Sequence, residues 1–99
     1  MRLKNVGVCA YCLKKTQLTR EHLIPRCFGG TYIIKVCHRC NSSRGNSASY
    51  PPFIKYIFNH PSEWFIAKEE AKSSSELVSF LKEVDICLAR LWHKKYFRF

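Results

Sequence analysis

Residues 9–46 of the 99-residue chain hold side chains whose types and spacing suit metal chemistry. Two Cys-x-x-Cys motifs, at residues 9–12 and 37–40, bracket the adjacent pair Glu21-His22. A two-residue spacer lets a tight turn bring two thiolates to one metal ion, and four thiolates complete a closed tetrahedral zinc site. The spacing therefore predicts a structural zinc ion held by Cys9, Cys12, Cys37 and Cys40.

Paired cysteines also form disulfides in oxidising compartments, so the compartment decides between the two interpretations. Residues 1–8 lack the apolar stretch of a secretion signal. No run approaches the ~20 apolar residues that cross a bilayer. We expect an intracellular protein, in the cytoplasm, nucleoid or nucleus, with no membrane partner, and there the motifs favour zinc. Cys27 and Cys87, outside the motifs, are expected to be buried free thiols.

Positive charge is concentrated in the first half of the chain. The net charge is +10, and residues 1–49 hold nine Lys or Arg against a single acid, Glu21, whereas residues 50–99 hold eight against six acids. A strongly basic surface is typical of proteins that meet a phosphate backbone, so we expect a nucleic-acid partner. The cations assigned to that contact are Lys14, Lys15, Arg20, Arg26, Arg39 and Arg44.

The first half is predicted to fold as strand, strand and helix. β-Branched and aromatic residues favour a strand over 32–36, which pairs with a strand over 17–23 across the Gly29-Gly30 turn. A short strand is predicted over 4–8 and a short helix over 39–46. Zinc would tie the start of the hairpin to the start of the helix.

The second half is predicted to be helical. Three helices follow Pro51-Pro52, and in the last of them apolar residues recur at helical spacing over 77–92, which indicates a stripe that packs in the core. Ser62 is the predicted N-cap of the second helix. Ser73 and Glu76 have the spacing of a capping box for the third.

Glu21, His22 and Asn41 remain once the cysteines are assigned to zinc. Phosphodiester hydrolysis needs a base, which histidine provides near neutral pH, and a hard cation, which carboxylate and amide oxygens bind. Neighbours on a strand point to opposite faces, so a twist or bulge is required for Glu21 and His22 to reach one phosphate. Arg44, one turn after Asn41, would clamp that phosphate. The residues alone leave open that Glu21 pairs with Arg20 or another surface cation and that His22 is an ordinary surface or core residue.

The combined pattern resembles the zinc-knuckle subgroup of the HNH endonucleases, the ββα-metal or His-Me finger family. It consists of Glu21-His22-Leu23-Ile24-Pro25, Gly29-Gly30 and Cys37-x-x-Cys40-Asn41-x-x-Arg44-Gly45. The resemblance implies that His22 is the general base and that Glu21 and Asn41 bind a catalytic Mg²⁺ or Mn²⁺. It also implies hydrolysis of DNA to 5′-phosphate and 3′-hydroxyl ends, with RNA left open as a partner.

Three positions depart from the family pattern. Glu21 stands where aspartate is usual, and Asn41 replaces a histidine, which favours Mg²⁺ or Mn²⁺ over softer metals. Thr31 or Tyr32 stands near the point where an asparagine usually orients the base. A hydroxyl or a backbone carbonyl must then orient His22.

We therefore expect a small α+β protein, with a zinc-stapled ββα-metal nuclease domain over 1–49 and an α-helical extension over 50–99. Two other functions stay open. One is a catalytically decayed, zinc-stabilised nucleic-acid-binding module, whose binding would be salt-sensitive and independent of Mg²⁺. The other is an adaptor that docks a larger protein on its C-terminal helices. The sequence leaves the oligomeric state, the preferred DNA sequence and the choice between nicking and double-strand cleavage undetermined.

Overall fold

The computed structural model describes residues 5–96 and has a small α+β fold. Three strands form one sheet, in the order β1-β2-β3 with both neighbouring pairs antiparallel. The strands are β1 (Val6–Val8), β2 (Lys15–His22) and β3 (Ile33–Cys37), and the helices are α1 (His38–Arg44), α2 (Pro51–Asn59), α3 (Pro61–Glu70) and α4 (Ser75–Tyr96). The predicted fold class is confirmed.

The hairpin of β2 and β3 gives the sheet one buried face and one open face. The two strands pair in regular register from Leu18 opposite Cys37 to His22 opposite Ile33. Ile34 is buried whereas its neighbour Ile33 is exposed, as alternation along a strand requires. The hairpin and the short helix that follows it lie within two residues of their predicted bounds. The strand predicted over 4–8 is β1, and its position 4 lies outside the described residues.

The connection between β2 and β3 depends on its two glycines. A 3₁₀ turn at Arg26–Phe28 leads into Gly29, whose φ of 93° is left-handed. The Gly29 carbonyl accepts a hydrogen bond from the amide of Lys72 at 2.9 Å, which fastens the turn to the segment before α4. A Cβ on Gly30 would lie 1.8 Å from the carbonyl oxygen of Ile24, so only glycine fits there.

One hydrophobic cluster joins the two predicted units. Phe53 of α2 is fully buried, and its ring lies edge-on to Tyr11 of the first Cys-x-x-Cys motif and to Trp64 of α3. The Phe80 ring of α4 packs 6.2 Å from the same phenylalanine. The helical half therefore shares a core with the zinc-motif half instead of forming its own.

Several helix details differ from the prediction. Ser62 is not the N-cap of α3, because Pro61 already occupies its first turn and His60 precedes it. Ser74 caps α4, since its hydroxyl accepts from the amide of Leu77 at 3.0 Å. The predicted core stripe of α4 is buried only as far as Val84, and Trp92 is 52 % exposed.

The cysteines outside the motifs also differ from the expectation of burial. Cys27 is exposed in the 3₁₀ turn, and Cys87 of α4 is half-buried. Within residues 5–96, no helix combines the length and the apolar character needed to cross a membrane.

Candidate functional site

The four motif cysteines converge on one point. Their sulfur atoms all lie within 4.8 Å of one another, and the Sγ atoms of Cys12 and Cys37 are 3.8 Å apart. No other group of three or more His, Cys, Asp or Glu within residues 5–96 is gathered so closely. A sulfur-only set of four ligands is the composition of a structural zinc site.

Backbone amides point at these sulfurs. The amide of Cys37 donates to Cys9 Sγ at 3.2 Å, and the amide of Cys40 donates to Cys37 Sγ at 3.4 Å. Burial raises the pKa of Cys9, but amide donors that include those of Cys12 and Cys37 outweigh it and lower the value to about 6. Burial and the neighbouring thiols raise the pKa of Cys40 to about 12. The amide donors therefore favour a thiolate at Cys9, whereas burial and the neighbouring thiols disfavour one at Cys40. A bound divalent cation would remove the repulsion between the thiolates.

The cluster holds three elements together. Cys9 and Cys12 lie in the turn between β1 and β2, and the amide of Ala10 donates to the carbonyl of Lys35 in β3 at 3.0 Å. Cys37 is both the last residue of β3 and the N-cap of α1. A metal at this point fixes where α1 begins relative to the sheet.

Glu21 lies on the buried face of β2 and is only 7 % exposed. Its Oε2 accepts a hydrogen bond from Arg44 Nη1 at 2.8 Å and another from the Tyr11 hydroxyl at 3.2 Å. Burial raises the pKa of Tyr11, so its hydroxyl keeps the proton that it donates. Both contacts use the same oxygen, and neither uses Oε1.

Arg44, at the end of α1, is 2 % exposed, and its guanidinium lies 3.7 Å from the centroid of the Phe53 ring. Besides Glu21, it donates to the carbonyl of His22 at 3.0 Å and to that of Leu23 at 2.7 Å. The prediction that Arg44 clamps a phosphate is wrong, because the buried guanidinium already binds groups of this chain. Glu21 does pair with a cation, as the alternative interpretation held, but that cation is buried rather than on the surface.

Asn41 of α1 is tied to the same strand. Its Nδ2 donates to Thr19 Oγ1 and to the carbonyl of Arg20, each at 3.0 Å. A carbonyl oxygen only accepts, so the bond to Arg20 fixes which end of the amide is nitrogen. These bonds leave the amide oxygen Oδ1 unused.

His22 is the last residue of β2 and is half-buried. Regular pairing continues through Glu21 and His22, and the register shows no bulge between them, so the two side chains point to opposite faces of the strand. Of the twist or bulge expected to bring Glu21 and His22 to one phosphate, the bulge is not found. Neither nearby hydroxyl holds the imidazole, because Thr31 bonds to the carbonyl of Glu70 and Tyr32 bonds to the carboxylate of Glu63.

Five of the six cations assigned to nucleic acid are exposed: Lys14, Lys15, Arg20, Arg26 and Arg39. Lys14, Lys15 and Arg39 line a groove of about 910 Å³ beside the cysteine cluster, together with His38, and no acid of the described part of the chain lines it. We call this the basic groove. Arg20 stands opposite Lys35 on the open face of the sheet, two residues before His22.

Two residues of this arrangement were missed by the sequence analysis. Tyr11 lies in the spacer of the first motif, and Phe53 lies under the Arg44 guanidinium. Because Glu21 is the only acid among nine Lys or Arg in residues 1–49, the sequence indicated that it would pair with a cation. Nothing in the local pattern indicated that the partner would be Arg44, 23 positions away and buried.

Residues 9–52 match the family described as HNH endonuclease. The resemblance predicted from the sequence is confirmed over these residues. No curated protein and no solved structure matches the chain. The matched residues, which we call the HNH segment, contain the cysteine cluster, Glu21, His22 and Asn41, and they end just inside α2. The family supports a nuclease-type function that acts on nucleic acid.

Replacing one zinc ligand tests the cluster. Cys40→Ser should remove bound zinc and unfold the HNH segment, because ligand convergence and folding are coupled at structural zinc sites. Cys27→Ser, at an exposed cysteine outside the cluster, is the matched control and should keep one zinc per chain. Elemental mass spectrometry measures the zinc content, and circular dichroism measures whether the protein is folded. A folded, zinc-free Cys40→Ser protein would contradict the structural role.

Replacing Arg44 tests the buried ion pair. Arg44→Met should lower the free energy of unfolding by about 3–5 kcal/mol, because it strands the Glu21 carboxylate without a charge partner. The double variant Glu21→Gln/Arg44→Met should be more stable than Arg44→Met, since the stranded charge is gone. Urea unfolding of the zinc-loaded proteins measures both. If the losses of Arg44→Met and of Glu21→Gln alone simply add in the double variant, the pair is not energetically coupled.

Proposed function

We propose that this protein is a metal-dependent endonuclease that hydrolyses DNA phosphodiester bonds with His22 as general base. The observation that carries the proposal is the family match, which spans His22, Glu21 and Asn41 together with the cysteine cluster. The cluster sets the start of α1, and Asn41 on that helix bonds to β2. The residues assigned to the reaction therefore lie on β2 and α1, which the cysteine cluster and the Asn41 hydrogen bond hold together.

His22 would take the proton from the attacking water. Imidazole suits this task because histidine titrates near neutral pH. The side chain is half-buried at the end of β2, and its backbone carbonyl is held by Arg44. This bond fixes the strand end that carries the base.

Glu21 Oε1 and Asn41 Oδ1 would hold a Mg²⁺ or Mn²⁺ ion. Both are oxygens of the kind that hard cations bind, and both belong to groups whose other polar atom is already anchored. Such an ion would supply positive charge beside the phosphate. Arg44 lies 2.8 Å from the Glu21 carboxylate, so its charge weakens attraction for a cation, and we expect low metal affinity.

DNA would be held through its backbone. The basic groove offers Lys14, Lys15 and Arg39 without a competing acid, and Arg20 and Arg26 add exposed charge on the HNH segment. Phosphate contacts of this kind give affinity that falls as salt rises. The expected products carry 5′-phosphate and 3′-hydroxyl ends. An intracellular, reducing location stays a prediction that goes with zinc-bound rather than oxidised cysteines.

One observation favours a second function, that of a nucleic-acid-binding module without cleavage. Glu21 is the only acid of the HNH segment, and it is neutralised by Arg44 and nearly buried. If Oε1 cannot reach a cation, the zinc fold and its basic surface remain but the reaction is lost. Binding would then be salt-sensitive and indifferent to Mg²⁺.

A supercoiled-plasmid assay with Mg²⁺ or Mn²⁺ tests the nuclease. His22→Ala should lower cleavage by at least about 100-fold, the typical contribution of a positioned base, while DNA affinity and zinc content stay unchanged. His60→Ala is the matched control, because His60 stacks on Tyr56 before α3 and lies outside the HNH segment. Equal cleavage by wild type and His22→Ala would remove the base role. No cleavage by zinc-loaded, DNA-binding wild type would favour the binding module.

A further inference from the structure

The helical half carries a recess that the HNH segment does not use. It lies between α2 and α4, has a volume of about 590 Å³, and we call it the helical groove. Most of α2 and all of α4 lie beyond residue 52, where the family match ends. Its apolar lining includes Ile54, Phe58, Cys87 and Leu91.

Among residues 5–96, every charged residue that lines the helical groove is a cation, namely Lys55, Arg90, Lys94 and Lys95. All four are exposed. Basic residues in the last turn of a helix offset its dipole, but Arg90 lies more than a turn before Tyr96, where α4 ends as described. The helix dipole alone therefore does not explain a cationic rim on both sides of an apolar floor.

The apolar surface continues past Phe58. A second depression of about 580 Å³ shares Phe58 and Lys95 with the helical groove, and Leu88 and Trp92 also line it. Trp92 is 52 % exposed although it belongs to the same helical stripe as the buried Val84. An exposed tryptophan beside an apolar groove is a frequent anchor of protein interfaces.

We propose that the helical groove binds an acidic amphipathic helix of a partner protein. The apolar face of that helix would cover Ile54, Phe58 and Leu91, as in other helix-in-groove complexes. Acidic residues on its flanks would face Lys55 on one side and Arg90 and Lys94 on the other. The complementary charge selects the partner and its orientation. This proposal does not depend on nuclease activity.

The composition of the groove argues against other occupants. A second copy of this chain carries a net charge of +10 and would bring more positive charge to a cationic rim. A DNA backbone would satisfy the cations but leave the apolar floor of Ile54 and Leu91 uncovered. The basic groove on the HNH segment, lined by polar residues and cysteines, suits a backbone better.

The probe is a fluorescent amphipathic peptide of about 18 residues, or five helical turns, with leucines on one face and glutamates on both flanks. A matched peptide carries lysines in place of the glutamates. Zinc-loaded full-length protein should bind the glutamate peptide at least about ten-fold more tightly than the lysine peptide. Equal binding, or no binding of either peptide, would overturn the proposal.

Two pairs of variants locate the binding. Leu91→Glu, in the floor, should weaken binding by at least about ten-fold, whereas Ile86→Glu, exposed on the same helix outside the groove, should not. The double variant Arg90→Gln/Lys94→Gln should weaken binding and its salt dependence, whereas Lys82→Gln should change neither. The second pair of variants leaves the apolar floor intact, so this comparison remains a valid test even if Leu91→Glu disturbs folding. Equal affinities within both pairs would overturn the proposal.

Cys87 lines the helical groove and reports directly on its occupancy. In a Cys27→Ser background with zinc protecting the cluster, the glutamate peptide should slow alkylation of Cys87. A short DNA duplex or vesicles with anionic lipid should protect it less. If DNA protects Cys87 and displaces the peptide, the groove is a nucleic-acid surface. If the vesicles do so, it is a membrane surface, and either result overturns the peptide proposal.

Discussion

The buried ion pair between Arg44 and Glu21 lies where β2, the first cysteine motif and α2 meet. Taking both charges out of water is costly, and the cost is offset only because the guanidinium also meets two backbone carbonyls, the Tyr11 hydroxyl and the face of Phe53. These partners belong to β2 and the residue that follows it, to the first cysteine motif and to α2. One side chain at the end of α1 therefore joins the zinc-motif half to the helical half.

The cysteine cluster and the ion pair act at the two ends of α1. This helix has only seven residues, far too few to persist alone in water. Its start is set by Cys37 and Cys40, and its end is set by Arg44. Between them, Asn41 is held against β2 through its amide nitrogen. The position of the candidate metal ligand is thus a consequence of two fixed ends rather than of helix propensity.

Sequence reasoning recovered the features that depend on local spacing. The four cysteines, the hairpin around two glycines and the family resemblance all follow from short motifs, each of which spans only a few residues. It could not recover the burial of Arg44, because arginine is usually a surface residue and its partner is set by the packing of α1 on the sheet. It also placed Trp92 in the core, since helical periodicity shows which face is apolar but not how far the neighbouring helices extend along it. The opposite facing of Glu21 and His22 was anticipated, and of the expected twist or bulge between them the bulge was not found.

In the proposed site Glu21 has two roles, with Oε2 bound to Arg44 and Oε1 left for a cation. The most direct test is a Mn²⁺ titration of the zinc-loaded protein, followed by electron paramagnetic resonance, with Glu21→Gln beside the wild type. We expect one weakly bound Mn²⁺ per wild-type chain. We also expect loss of that ion in a Glu21→Gln protein that circular dichroism and zinc content show to be folded. A folded, zinc-loaded wild type that binds no Mn²⁺, or a Glu21→Gln protein that binds it equally well, would show that Glu21 serves the fold alone.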